Sequence, residues 1–154
     1  MNIKTFCYIY LYYILMKSTI YKIIMNDDKC YYTDNRHNLV QVINEVNKND
    51  DKFKPYNINT INGILYNKNK IIRGVKSVER FDAMDYYKEY IDEYTEQLIK
   101  KAEKQNKTYS PAVIKRFKQH FITLLNSIEF DGRNNGETDD AIKSKINAMG
   151  LIKV

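Results

Sequence analysis

The middle of the chain carries side chains suited to binding nucleic acid. Three short polar side chains can hydrogen-bond base edges or phosphates: Asn59, Thr60 and Asn62. Five cations follow them and can neutralise backbone phosphates: Lys68, Lys70, Arg73, Lys76 and Arg80. The sequence therefore predicts a nucleic-acid-binding site over residues 57–80, in which the cations hold the backbone and the polar side chains face the bases.

Other chemistries find no matching arrangement of residues. Residues 131–142 resemble a calcium loop, but Arg133 takes a position where a ligand oxygen is required. Ile142 takes the last position, where such a loop needs a bidentate glutamate. Cys30 has no second cysteine in C-x-x-C spacing, and neither histidine lies in a pattern typical of a catalytic pair. We therefore expect no cofactor and no metal, and the sequence favours a protein without enzymatic activity.

Composition indicates a folded chain with a local basic excess. The 154 residues are 44% hydrophobic and 29% charged, which is enough for one ordinary domain with a core. The net charge is +6, and residues 29–80 hold ten Lys and Arg against five Asp and Glu. A basic surface attracts polyanions, of which nucleic acid is the commonest. A solvated lysine-rich face is the alternative interpretation.

Four residue types encoded by AT-rich codons dominate the chain. Asn, Ile, Lys and Tyr supply 71 of its residues, or 46%. This bias indicates an AT-rich genome such as that of a large DNA virus, a phage or a protozoan parasite, and we expect a protein of a virus or phage. The same bias is an alternative explanation for the many asparagines and lysines.

The start of the chain is apolar and open to several interpretations. Residues 6–16 form an eleven-residue run without charge, whereas a membrane-spanning helix needs about twenty such residues. A signal peptide, a membrane anchor over residues 3–25 and an extra strand are possible interpretations. We favour translation from Met16, with residues 1–15 as a leader or an over-extended start. An intracellular protein is then expected, in the host cytoplasm, the nucleus or the virion.

The first half of the chain predicts a small α+β module over residues 16–82. Two short β-branched and aromatic runs, Ile20–Met25 and Cys30–Thr33, predict a hairpin. A helix capped by Asn38 follows over Leu39–Val46. A second helix over Ile58–Tyr66, capped by Asn57, and a strand from Val75 complete the module.

The second half predicts a helical region over residues 83–154. Apolar residues recur at alternating spacings of three and four along two segments, and such a repeat forms one face of a helix. The first set is Met84, Tyr87, Ile91, Tyr94 and Leu98, and the second is Ile114, Phe117, Phe121, Leu124 and Ile128. The pattern predicts an antiparallel helical hairpin, 84–104 and 111–130, with Phe117 and Phe121 buried in its seam, and a short helix over 139–149 capped by Thr138.

Residues 20–81 resemble the small helix-turn-helix modules associated with intron-encoded homing nucleases. The phrase NINTINGILYNKNK is similar to the second helix and following loop of those modules. Tyr21 and the Tyr31-Tyr32 pair, followed by Arg36, also resemble the core of GIY-YIG nucleases. The glycines of that family's motif are replaced by threonines here, and no glutamate matches the position of its metal ligand, for which Glu45 and Glu79 are candidates by residue type alone. The first resemblance implies DNA binding, and the departures in the second disfavour an active nuclease.

These patterns predict an α+β protein that binds nucleic acid without catalysing a reaction. Phosphate contacts would come from residues 68–80. The alternative is a small viral structural or host-factor-binding protein that acts through its helices at 84–128, where a protein partner or a second copy would bind. Tyr86 and Tyr90 lie beside the predicted seam and are candidates for a partner-facing aromatic stripe.

Overall fold

The computed structural model describes residues 19–66 and 71–150 and has an α+β fold, as predicted. Its three strands are β1 (Thr19–Met25), β2 (Cys30–Thr33) and β3 (Val75–Asp82). Its helices are α1 (Arg36–Asn47), α2 (Ile58–Tyr66), α3 (Ala83–Tyr86), α4 (Lys88–Lys104), α5 (Pro111–Asn134) and α6 (Asp139–Ala148). The predicted leader at 1–15, together with Lys68 and Lys70, lies outside the described residues.

The strands form one antiparallel sheet in the order β2-β1-β3. Side chains alternate between the two faces of the central strand, so Ile20 points to one core and Tyr21 and Ile23 point to the other. Lys76 has no partner across the sheet, because β3 has a bulge where Val75 pairs with Met25. At the outer edge of β2, the Asn134 side chain exchanges two hydrogen bonds with the Tyr32 backbone, at 2.7 and 3.0 Å.

A separate apolar core covers each face of the sheet. One face carries α1 and α2, which close a core of Tyr21, Ile23, Met25, Leu39, Ile43, Ile61, Leu65, Ile72 and Val75. The other face carries the later helices, whose core consists of Ile20, Ala83, Tyr87, Ile91, Phe121, Ile122, Leu125, Ile142 and Ile146. The sheet therefore contributes side chains to the cores of both halves of the chain. The division into two domains near residue 82 stays a prediction.

Three of the predicted helices differ from the observed ones by more than one residue. The first helix begins at Arg36, because the cap is Asn35 rather than Asn38, and its side chain accepts a hydrogen bond of 2.8 Å from the His37 N–H. The predicted 84–104 helix is divided at Tyr87 into α3 and α4. The predicted 111–130 helix continues to Asn134. The α2 helix, the start of β3 at Val75 and the Thr138 cap match the prediction, and Ser110 caps α5 by accepting a hydrogen bond from the Val113 N–H.

The long helix α5 buries a different face from the one that was predicted. Its buried residues are Phe121, Ile122, Leu125, Asn126, Glu129 and Gly132. Phe117, which was expected to be mostly buried together with Phe121, is less buried than Phe121 and packs against Tyr109. The physical reason is that α5 packs against β2 and α6 as well as against α4. Gly132 allows the close approach of α6, since a Cβ there would lie 2.6 Å from Cγ1 of Ile142.

Helices α4 and α5 are antiparallel, as the hairpin prediction requires. The Tyr94 ring stacks on Phe121, with 4.2 Å between the ring centroids. At the other end of the pair, the Tyr87 hydroxyl donates to Asn126 at 2.7 Å. Among the described residues, none of these helices is long and apolar enough to cross a membrane.

Candidate nucleic-acid interface

The predicted site residues that the structure describes lie on α2, β3 and the segment between them. Asn59 and Thr60 are exposed on α2, and the Thr60 hydroxyl donates to Asn57 at 3.0 Å as part of the helix cap. Asn62 is half-buried, and its Oδ1 accepts a hydrogen bond of 2.8 Å from Arg36. Asn59 and Thr60 therefore face solvent, whereas Asn62 already contacts a cation.

Two of the predicted cations are paired with acidic side chains. Arg73 forms an ion pair with Asp50, and Lys76 reaches Asp28 in the β1–β2 turn at 3.0 Å. The Arg73 carbonyl accepts a hydrogen bond of 3.0 Å from the buried side chain of Asn47. These ion pairs lie at the surface, where such pairs contribute little to stability and exchange readily with other partners.

Arg80 has a neutral partner at the end of α2. Its guanidinium donates to the carbonyl oxygen of Leu65, one of the helix-terminal carbonyls that have no partner within the helix. A cation at this end also interacts favourably with the helix dipole. Arg80 lies directly opposite Tyr21 in the sheet register, so the two side chains leave the same face side by side.

Arg36 joins this group from the first turn of α1. Its Nε donates to the Tyr21 hydroxyl at 2.8 Å, and its Nη1 donates to Asn62 at 2.8 Å. The hydrogen bond that Arg36 donates to the Tyr21 hydroxyl, with a smaller contribution from the Tyr66 hydroxyl, raises the pKa of Arg36 above its ordinary value. We call these five residues the arginine cluster: Tyr21, Arg36, Asn62, Tyr66 and Arg80.

The two cations of the arginine cluster differ from Arg73 and Lys76 in having neutral rather than acidic partners. Neither Arg36 nor Arg80 forms an ion pair with a carboxylate of the described residues, and both donate to neutral oxygens. The positive charge of both guanidiniums is therefore uncompensated at short range. Tyr66 is the last residue of α2, so Lys68 and Lys70 follow the cluster directly in sequence.

Helices α1 and α2 do not form a tight helix-turn-helix. Residues 48–57 separate them, whereas a tight turn uses three or four residues. The Asn44 side chain fixes this connection by exchanging hydrogen bonds of 2.9 and 3.0 Å with the Tyr56 backbone. Both helices cover the same sheet face, so α2 presents its outward side to solvent while Ile61 and Leu65 face the core.

A buried carboxylate lies on the other side of the sheet. Glu129 is only 5% exposed and accepts hydrogen bonds of 2.8 Å from both the Tyr86 hydroxyl and Arg133. Arg133 also pairs with Asp139 and lies over the Tyr32 ring. Tyr86 is therefore directed into the protein rather than towards a partner, and burial raises its pKa, so its hydroxyl remains a donor at neutral pH.

Sequence reasoning missed this carboxylate, although one signal was present. Glu129 and Arg133 are four residues apart, the spacing at which opposite charges meet on a helix. The helix continues through residues 131–134, so the segment that resembles a calcium loop is partly helical. Among the described residues, no group of three or more His, Cys, Asp or Glu side chains is placed to hold a metal ion.

Comparisons with protein-family models, curated proteins and solved structures find no match to this chain. The resemblance of residues 20–81 to nuclease-associated modules therefore stays a prediction from the sequence. The candidate interface is defined by its own geometry: two guanidiniums with neutral partners, two tyrosine hydroxyls and an exposed helix surface.

Proposed function

We propose that this protein is a non-enzymatic nucleic-acid-binding protein whose arginine cluster contacts backbone phosphates. The observation that supports the proposal is the meeting of Arg36 and Arg80 beside Tyr21 at the end of α2. Lys68 and Lys70 follow in sequence and add to the positive charge. Asn59 and Thr60, exposed on the same helix, are the proposed contacts to bases.

Guanidinium groups suit this role because their planar set of donors matches two phosphate oxygens at once. A phosphate that replaced the Leu65 carbonyl as acceptor would add a negative charge to the acceptor side and turn a hydrogen bond to a neutral oxygen into an ion pair. Arg73 and Lys76 would first have to leave Asp50 and Asp28. We therefore expect the arginine cluster to contribute more to affinity than these two residues do.

Changing both arginines of the cluster to glutamine should weaken binding and reduce its dependence on salt. Each lost phosphate contact lowers the slope of log affinity against log salt by about 0.9 for duplex DNA or about 0.7 for a single strand. The Arg36→Gln, Arg80→Gln variant should therefore lower the slope by about 1.4–1.8. Fluorescence anisotropy over a salt series measures this, and circular dichroism confirms that the variant is folded.

The matched control removes the same charge from the helical side of the sheet. Lys101 and Lys143 are exposed on α4 and α6, and the Lys101→Gln, Lys143→Gln variant should leave the slope unchanged. An equal loss of slope in both variants would mean that only net charge matters, which contradicts a localised site.

The predicted contacts outside the arginine cluster have a separate test. Changing Lys68, Lys70 and Arg73 together to glutamine should also lower the slope, by up to about 2–3. Asn59→Ala should instead alter sequence preference at constant slope, because base contacts specify and phosphate contacts position. Absence of binding to DNA and RNA, single- or double-stranded, by the folded protein at physiological salt contradicts the proposed function.

A protein-binding role for the helices at 84–128 is the second candidate. Ile99 on α4 is 42% exposed, which is unusual for a large apolar side chain on an amphipathic helix. If nucleic acid does not bind, this side of α4 is the first place to seek a partner, and an Ile99→Lys variant that loses that partner would locate it.

A further inference from the structure

Gly63 lies on the solvent-facing side of α2, and the fold gives no reason for a glycine there. A Cβ at this position would meet no heavy atom of the described residues within 4 Å. Gly63 lies within a regular helix and does not adopt a positive φ. A glycine inside a helix costs about 1 kcal/mol relative to alanine. The chain thus carries a destabilising residue where both space and backbone geometry accept a side chain.

A bare stretch of helix backbone permits the close approach of a ligand. Gly63 lies between Asn59, one turn earlier, and Tyr66, one turn later, on the same exposed side of α2. We call this surface, which also includes Thr60, the outer face of α2. It combines hydrogen-bonding side chains at one end, a flat centre and an aromatic ring at the other end.

Tyr66 is 78% exposed, although it is a large aromatic residue at the edge of a packed helix. Asn62, one turn before Tyr66 on α2, accepts a hydrogen bond of 2.8 Å from Arg36, so the ring lies on the same side of the helix as the cation proposed to hold a phosphate. An exposed aromatic ring beside cations is the combination that proteins use to stack the bases of unpaired strands while neutralising their backbone. In a duplex, by contrast, neighbouring bases already cover the faces that would stack on the ring.

We infer that the outer face of α2 binds a single strand of nucleic acid, with a base stacked on Tyr66 and the strand passing closely over Gly63. This inference rests on the proposed function and names its ligand class. The phosphates next to the stacked base would then meet Arg36 and Arg80, which approach α2 from α1 and β3.

Gly63→Ala separates a binding role from a structural one, because the two predict opposite effects. The variant should have a higher thermal midpoint than the natural protein, since alanine is the better helix former. It should nevertheless bind a single-stranded oligonucleotide several-fold more weakly, because the added methyl group blocks close approach. Ser144→Ala on the exposed side of α6 is the matched control, which should leave binding unchanged.

Tyr66 has its own pair of variants. Tyr66→Ala should weaken single-strand binding about tenfold, as expected for one lost base–aromatic contact. Tyr66→Phe keeps the ring and should bind within about twofold of the natural protein. Ile99→Ala removes another exposed apolar side chain, on α4, and should have no effect on binding. The probes are a twelve-nucleotide oligothymidine and a duplex of equal length, measured by anisotropy at the same salt concentration.

The outcomes separate this inference from the proposed function. Preference for the single strand, weakened by both Gly63→Ala and Tyr66→Ala, supports both. If the duplex binds as well or better, and these variants change nothing while the Arg36 and Arg80 changes reduce binding, the proposed function stands and the single-strand inference is overturned. Unchanged binding in either Gly63→Ala or Tyr66→Ala overturns the contact assigned to that residue. Absence of binding to either probe at physiological salt contradicts both proposals.

Discussion

Replacing Phe121 by alanine should lower the free energy of unfolding by about 3–5 kcal/mol, the range expected for an aromatic side chain lost from a packed core. Phe121 is 1% exposed and lies at the centre of the helical core, where its ring stacks on Tyr94. The surrounding side chains belong to several elements and cannot all move to fill the cavity. Chemical denaturation measures the loss, which is a large part of the total stability of an ordinary domain.

Phe117→Ala is the matched control, because it removes the same side chain one turn earlier on the same helix. Phe117 is half-buried and packs against Tyr109, which lies in the loop that connects α4 to α5. We expect a smaller loss of about 1–2 kcal/mol, since part of this residue already contacts water. Equal losses in the two variants would contradict the burial pattern described here and would favour the seam predicted from the sequence.

Arg133→Met has the second largest expected effect, a loss of about 3 kcal/mol in the free energy of unfolding. The substitution leaves Glu129 buried with Tyr86 as its remaining donor. Removing one partner of a buried pair is costly because the other charge stays desolvated. The value is placed at the low end of the usual range because the Arg133 side chain is 29% exposed. Denaturant titration of the two proteins measures the difference.

A double variant distinguishes two causes of the stability loss in Arg133→Met: the unpaired charge of Glu129, and the other contacts that Arg133 no longer makes. Adding Glu129→Gln to Arg133→Met removes the stranded charge but keeps an acceptor for Tyr86, so much of the lost stability should return. Lys100→Met is the surface comparison, since it breaks the exposed pair with Glu96 and should change stability by less than about 0.5 kcal/mol. If the double variant is no more stable than Arg133→Met, the other contacts of the Arg133 guanidinium, with Asp139 and the Tyr32 ring, account for the loss.

Cap residues and apolar spacing predicted correctly those elements whose ends depend only on neighbouring residues in the sequence. The helix over Ile58–Tyr66 was predicted correctly because Asn57 caps it and its apolar residues face one core. The face of α5 was misassigned because a spacing of three and four residues assumes one partner helix. That helix packs against β2 and α6 as well as α4. Polar residues such as Asn126 and Glu129 are buried where they find partners on α3, at the α3–α4 junction or within α5 itself.

The sequence indicated a basic candidate site, but it did not indicate which residues lie at the centre of that site. Counting cations along the chain pointed to residues 68–80, yet Arg73 and Lys76 pair with acids from distant loops. The arginine cluster depends on the strand register that places Arg80 beside Tyr21, and on the earlier start of α1 that places Arg36 in its first turn. Neither is encoded by local spacing. The sequence patterns linked Tyr21 to Arg36 and, separately, Asn62 to Arg80, but they did not bring the two pairs together.

The pairing of Asn134 with Tyr32 has a consequence for how the sheet meets other chains. An edge strand with free N–H and C=O groups invites another strand to add to it, which leads to aggregation. At β2 a single amide side chain takes the place of that additional strand, because it both donates to and accepts from the Tyr32 backbone. At the opposite edge, β3 carries Lys76, Glu79 and Arg80, and such charges discourage the docking of a further strand. The sheet is thus protected at both edges against growth into a fibril, by an amide on one side and by charge on the other.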